Sequence, residues 1–220
     1  MKSEFPLSEI FDSIDGEGKR TGYMATFVRF CGCPLRCTYC DTAYALDENS
    51  AEEWVTAAEL LARIRSYPWK RITWTGGEPM LRPVQSLCDA LGKEGYESNI
   101  ETSGAIPLWD ERPANTFYTM DWKCPDSGME SRMCVPNLAR LTGEDVLKFV
   151  VGSERDLLAM KRVLLRHFQR ENCPRFYVSP VFGKIHPQKL VEFVRDQKLA
   201  DVCVQVQLHK VIWDPNMRGV

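Results

Sequence analysis

The sequence predicts an α/β fold: a partial, open βα barrel of mostly parallel strands, in a single domain spanning residues 1–220. Three observations carry this. Strand-like and helix-like segments alternate along the chain, the pattern of βαβ units and a parallel sheet. The chain has 220 residues, whereas a complete eight-stranded barrel takes about 250. Chemistry-bearing residues recur just after the expected strands, where ligands bind in such folds.

The elements follow in order. Residues 23–30 are apolar-rich and form the first expected strand. Residues 51–67 place Trp54, Val55, Ala58, Leu61 and Ile64 at helical spacing between charges, which predicts one helix. Residues 72–75 read as a short strand. Residues 83–93 read as a helix with proline in its first turn. Residues 97–101 and 117–121 are further strands. The polar stretch 125–136 reads as a loop standing in for a crossover helix. Residues 146–151 are almost continuously apolar, as buried parallel strands are. Ser153 is placed to cap a helix that runs to about Gln169. A strand over 175–179, a helix over 187–197 and a strand over 202–208 complete about six or seven strands.

In that last strand Val202, Val204, Val206 and Leu208 alternate with Cys203, Gln205, Gln207 and His209. If the apolar face packs on helices, the polar face looks into the barrel and His209 lies near a bound ligand. A solvent-facing edge strand shows the same alternation.

Hydrophobic residues make up 44% of the chain and charged residues 26%, as in ordinary soluble domains. This excludes a disordered chain, a collagen-like one and a small disulfide scaffold. With 28 basic and 30 acidic residues the net charge is −2, which argues against a nucleic-acid partner. No apolar run approaches the roughly 20 residues of a membrane helix. The start, Met1-Lys2-Ser3-Glu4-Phe5-Pro6, lacks the features of a secretory signal. A cytoplasmic protein with no membrane partner is expected. In that reducing compartment the nine cysteines are free thiols or metal ligands.

Four of the nine fall within ten residues: Cys31, Cys33, Cys37 and Cys40. Cys33, Cys37 and Cys40 form Cys-x3-Cys-x2-Cys, three thiolates able to converge on one cluster. Three ligands are one short of those that close a cubane, so one iron is left open. Structural zinc wants four, and no second Cys-x2-Cys pair follows. Cys31 is a poor fourth ligand, because in extended chain its side chain and that of Cys33 point to opposite faces. Cys88, in a helical pattern, and Cys203, in a strand pattern, read as small buried hydrophobes. Cys134 has no assignable role.

Cys-x3-Cys-x2-Cys with the aromatic Tyr39 before its last cysteine resembles the radical S-adenosylmethionine (SAM) superfamily. There the three thiolates hold a 4Fe–4S cluster, and the open iron binds the amino and carboxylate groups of the methionine. A second motif agrees. Arg71 to Pro79 reads as a strand running into Thr75-Gly76-Gly77-Glu78-Pro79; on its own that would be an ordinary turn signal. By resemblance its backbone meets the methionine amino group. The fold is then a TIM-like barrel of the radical SAM type. The cysteine loop, Gly76-Gly77-Glu78, Thr102-Ser103-Gly104, Lys123 and Ser179-Pro180 all lie at expected strand ends.

Within the superfamily the chain resembles the 7-carboxy-7-deazaguanine synthase family. The likeness runs through Glu9 to Gly18, Thr21-Gly22, Phe27-Val28-Arg29, Cys40-Asp41-Thr42, Glu101-Thr102-Ser103-Gly104, Asp121-x-Lys123 and Gln207-Leu208-His209-Lys210 near Trp213. The family usually has Gln where this chain has Asp15, which alters the side-chain contact there and not the backbone contacts of the loop. The resemblance implies a lyase reaction of 7-deazapurine (queuosine) biosynthesis. SAM is cleaved, a hydrogen leaves C6 of 6-carboxy-5,6,7,8-tetrahydropterin, the ring contracts and ammonia departs.

The resemblance also implies residue roles. Cys33, Cys37 and Cys40 hold the cluster. Tyr39, Cys40, Asp41, Gly77, Glu78, Ser103 and Lys123 surround SAM. Ile14, Asp15, Gly16, Glu17, Arg29 and Thr75, with His209, contact the pterin. Thr42 matches a Mg2+ position, where substrate oxygens would supply other ligands. A guanidinium suits the substrate carboxylate, although Arg29 also reads as a surface arginine on an apolar strand. A flavodoxin or ferredoxin reductant and a homodimer are expected. Two rival readings are an activating enzyme that places a glycyl radical on a partner protein and a structural metal-binding module.

Overall fold

Nine strands form one sheet in the order β3-β1-β2-β4-β5-β6-β7-β8-β9 in the computed structural model, which describes residues 4–169 and 171–220. Met1 to Ser3, part of the start weighed above as a signal, lie outside the described residues. From β2 onward each strand runs parallel to the next: β2 (Met24–Phe30), β4 (Arg71–Gly76), β5 (Glu97–Thr102), β6 (Thr116–Trp122), β7 (Val146–Val151), β8 (Arg175–Pro180) and β9 (Val202–Val204). β1 (Glu4–Ile14) lies antiparallel to β2, and β3 (Glu53–Thr56) antiparallel to β1. The helices are α1 (Ala57–Ser66), α2 (Val84–Gly92), α3 (Asn137–Arg140), α4 (Glu154–His167), α5 (Pro187–Asp196) and α6 (His209–Ile212).

The parallel strands and the four longer helices fall where the apolar pattern puts them, within a residue or two at most ends. The core lies between sheet and helices. Phe5, Phe30, Trp74 and Phe149 are fully buried, and Phe30 stacks on Trp74 with centroids 6.1 Å apart. Cys88 is buried in this core, as its helical setting predicts. Two crossovers carry no full helix. Residues 103–115 have none, and the stretch 125–136 contributes two 3-10 turns before the four-residue α3.

Several expectations are corrected. The sheet has nine strands, because β1 and β3 carry no clean two-residue alternation and owe their conformation to pairing. Residues 53–56 are strand, not the first turn of a helix. Thr56 then caps α1, accepting from Glu59 N–H while the Glu59 side chain accepts from Thr56 N–H, a capping box written as Thr-x-x-Glu. Ser153 occupies the N-cap of α4 without a side-chain bond. Asp156 instead ties the chain before the helix to a neighbouring turn, accepting from Gly152 N at 2.8 Å and Asp126 N at 2.9 Å. The last strand stops at Val204, and Cys203 is exposed rather than buried.

The barrel is open between β3 and β9. The β1–β2 loop crosses to the chain after β9. Gly18 N donates to Gln205 Oε1 at 2.7 Å, Gln205 Nε2 to Thr21 Oγ1 at 2.7 Å, and Leu208 N to Gly16 O at 3.0 Å. Gly18, at φ +74°, lies against Thr119 on β6 and Val146 on β7. The loop thus packs inside the barrel, against β4, β6 and β7 and the chain after β9. Arg20 anchors it from inside, with its Nε 2.8 Å from Asp15 Oδ2 and its Nη2 donating to Ile72 O at 3.1 Å. Among the described residues no helix is long and apolar enough to cross a membrane.

Candidate active site

A cavity of about 270 Å³ opens at the carboxyl ends of the strands. The loop after β2 brings Cys33, Cys37 and Cys40 to its wall. That loop is pinned by its backbone: Gly32 N donates to Ala45 O at 2.9 Å, Cys33 N to Leu46 O at 3.0 Å, and Thr38 N to Ser127 O at 3.1 Å. Burial pushes all three thiols above their ordinary pKa, and Lys123 pulls each back down. Cys31 is buried against the core and does not line the cavity.

The Gly76-Gly77 turn after β4 packs backbone on backbone with the cysteine loop. A Cβ at Gly77 would lie 2.2 Å from Gly32 O, and one at Gly76 2.2 Å from Phe30 O. Glu78 is buried beneath the turn and is not part of the cavity wall. Its carboxylate accepts from Met80 N at 3.0 Å, Ser103 N at 2.8 Å, Thr102 Oγ1 at 3.1 Å and Ser103 Oγ. Burial raises its pKa against those bonds. Glu78 therefore braces Gly77 and Ser103, which do line the cavity.

Tyr39, Asp41, Thr42 and Lys123 line the cavity as well. Tyr39 donates its hydroxyl to Val150 O at 3.0 Å, and burial pushes its pKa up. Burial would raise the Asp41 carboxyl, but Lys210 on α6, 2.7 Å away, holds it below the usual range. Thr42 donates to Asp41 at 3.1 Å.

Ile14, Gly16, Glu17, Arg29, Thr75 and His209 line the same cavity. Arg29 is held by Glu9, 2.7 Å from its Nε, and Tyr44 donates to the same carboxylate at 2.9 Å. Held at Nε and half-buried on the cavity, Arg29 is not an exposed surface arginine. Thr75 donates to Glu101 Oε2 at 2.8 Å. His209 comes from the start of α6, not from a strand, and burial lowers its pKa although Glu17 opposes. Asp15 is brought near but turned away. Its carboxylate accepts from Thr73 Oγ1 at 2.7 Å and pairs with Arg20, and it does not line the cavity.

The motifs named above include Glu9, Glu101, Gln207 and Lys210 without giving them a role at the site, and Tyr44 and Lys148 belong to none of them. Lys148 had a signal, since a lone charge inside the apolar run of β7 is unusual unless paired. Its Nζ lies 2.9 Å from Glu17 Oε2 and 3.3 Å from Asp121 Oδ1. Burial would lower its pKa, but Asp121, Glu17 and Glu101 hold it well above the ordinary value. Asp121 also pairs with Lys123 at 2.7 Å.

The donor set suits an iron–sulfur cluster: three soft sulfur ligands on one loop with a buried cation beside them. Among the described residues no three Cys, His, Asp or Glu side chains gather around a point fit for a single ion.

Comparison with known proteins agrees. Residues 27–114 match the radical SAM superfamily. The chain is 40% identical to a 7-carboxy-7-deazaguanine synthase of Clostridium acetobutylicum, covering 98% of this chain and 99% of that one. It is 36% identical to one of Chlorobaculum tepidum, covering all of both. The crystal structure of QueE from Escherichia coli superposes with a TM-score of 0.75 at 26% identity, over 94% of this chain and 95% of that one. The likeness extends over the whole chain and includes the cysteine loop that lines the cavity, so the protein belongs to the 7-carboxy-7-deazaguanine synthase family of the radical SAM superfamily.

Proposed function

We propose that this protein converts 6-carboxy-5,6,7,8-tetrahydropterin to 7-carboxy-7-deazaguanine, with loss of ammonia. One observation carries the reading. A single cavity is lined both by three cluster-type thiols and by Glu17, Arg29, Thr75 and His209. When bound, the cluster and SAM supply a carbon radical able to take a hydrogen from an unactivated position. Cys33, Cys37 and Cys40 would hold the cluster. Tyr39, Asp41, Gly77, Ser103 and Lys123 would border SAM, with Glu78 acting from beneath through Ser103.

The chain's own work is binding and orientation. Arg29 receives the substrate carboxylate, because a guanidinium meets it with two parallel bonds. Glu17 accepts from a ring N–H. Thr75, fixed by Glu101, and His209 close the sides of the pterin pocket. Thr42 lies on the cavity wall, where Mg2+ could share oxygens of the substrate. A flavodoxin or ferredoxin reductant and a homodimer belong to the same reading, on family likeness.

Anaerobic turnover of cluster-loaded protein with SAM, reductant, Mg2+ and the tetrahydropterin tests it, read by mass spectrometry. 7-Carboxy-7-deazaguanine is the expected product. Cleavage of SAM without that product would overturn the substrate and favour a partner-protein radical acceptor. Zinc in place of iron and acid-labile sulfide would overturn the cofactor.

A further inference from the structure

We infer that Lys148 is the positioning residue of the pterin pocket, acting through Glu17. This rests on the pterin reading above. Glu17 sits in the β1–β2 loop, where no strand ladder fixes its side chain. Two groups hold it: Lys148 Nζ at 2.9 Å and Gln207 Nε2 at 3.2 Å, both on Oε2. The other oxygen, Oε1, is buried without a partner, and Glu17 lines the cavity. A buried acceptor left unpaired is costly, so Oε1 marks the place of a ligand N–H donor.

Lys148 itself cannot move away. It lies inside β7, is 6% exposed, and its second partner, Asp121, stands opposite it in the β6–β7 register. Rigid strands thereby aim a carboxylate carried on a loop. Through Asp121 the same ammonium is linked to Lys123 on the cofactor side.

The test uses cluster-loaded protein with SAM and no reductant. The probe is 6-carboxypterin, the oxidised and unreactive pterin, with affinity read from quenching of its fluorescence. Four proteins are compared: the wild type, Lys148→Met, Glu17→Gln and the double variant. Lys148→Met should weaken binding by about tenfold or more, the scale of one charge-assisted bond. In turnover its KM for the tetrahydropterin should rise more than its kcat falls. In the Glu17→Gln background the same change should cost nothing further. Wild-type affinity in Lys148→Met, or an equal loss in both backgrounds, would overturn the inference. Should Lys148→Met fail to fold, Glu17→Gln against the double variant decides, since neither leaves a lone charge at residue 17. Failure of the wild type to bind the probe would overturn the pterin reading itself and this inference with it.

Discussion

His209 Nδ1 occupies the space in which any side chain at residue 16 would have to sit: a Cβ added to Gly16 would lie 2.0 Å from it. The imidazole therefore rests directly on the backbone of the β1–β2 loop, and Leu208 N donates to Gly16 O beside it. Gly16→Ala should force the two segments apart. A shift of about 1 Å in a positioning segment can cost roughly a hundredfold in rate. We expect a loss of that order in kcat/KM for the pterin. Adding His209→Ala to Gly16→Ala should restore space and recover pterin affinity in part; no recovery would mean that the contact is incidental.

Gly77 makes a similar demand on the cofactor side. Its missing side chain leaves room for Gly32 O. Gly77→Ala should displace the cysteine loop and lower iron and sulfide retained after anaerobic reconstitution. Full iron content with unchanged SAM cleavage would refute this.

Arg29 is held by Glu9 and lines the cavity. Arg29→Met should raise KM for the tetrahydropterin by about a hundredfold, the scale of a charge-assisted bidentate pair. Glu9→Gln should raise it less, since Tyr44 still holds the amide oxygen. Steady-state kinetics with the pterin varied will check both.

Arg20→Met leaves Asp15 buried beside Thr73 with no cation. Removing one partner of a buried pair typically costs about 3–5 kcal/mol. Denaturant unfolding should show a loss of that size, and an unchanged midpoint would refute it.

Glu101 gives a pH signature. Burial pushes its carboxyl above the ordinary value, outweighing Lys148. The folded protein then holds this proton more tightly than the unfolded chain. The corresponding stability is complete below the unfolded pKa of about 4.3 and is lost as pH rises through the folded value. Glu101→Gln keeps an acceptor for Thr75 and removes the titration. Its stability relative to wild type should rise with pH above about 4.3 in thermal melts. A difference independent of pH would count against the assignment.

The parallel half of the sheet was legible because buried strands announce themselves as apolar runs. The cysteine loop and the glycine turn were legible because their chemistry restricts residue type. β1 and β3 were not, since Pro6 and the buried Ser8 and Ser13 blur any alternation. The last strand is shorter than its alternation predicts. Its alternation was real, yet beyond Val204 the polar side chains serve the β1–β2 loop and the cavity from irregular chain.

The site divides along the same line. The sequence alone determined which residues could ligate a cluster, and that they follow strands. Tertiary structure alone decided that Asp15 faces Arg20 and that Glu78 braces the turn from beneath. It also decided that Lys148 and Gln207 aim Glu17. The bracing of Glu78 and the aiming of Glu17 join segments far apart in the chain, whereas Asp15 and Arg20 meet within one loop. A charged side chain's partner is set by where folding brings the other charge, which no local pattern records.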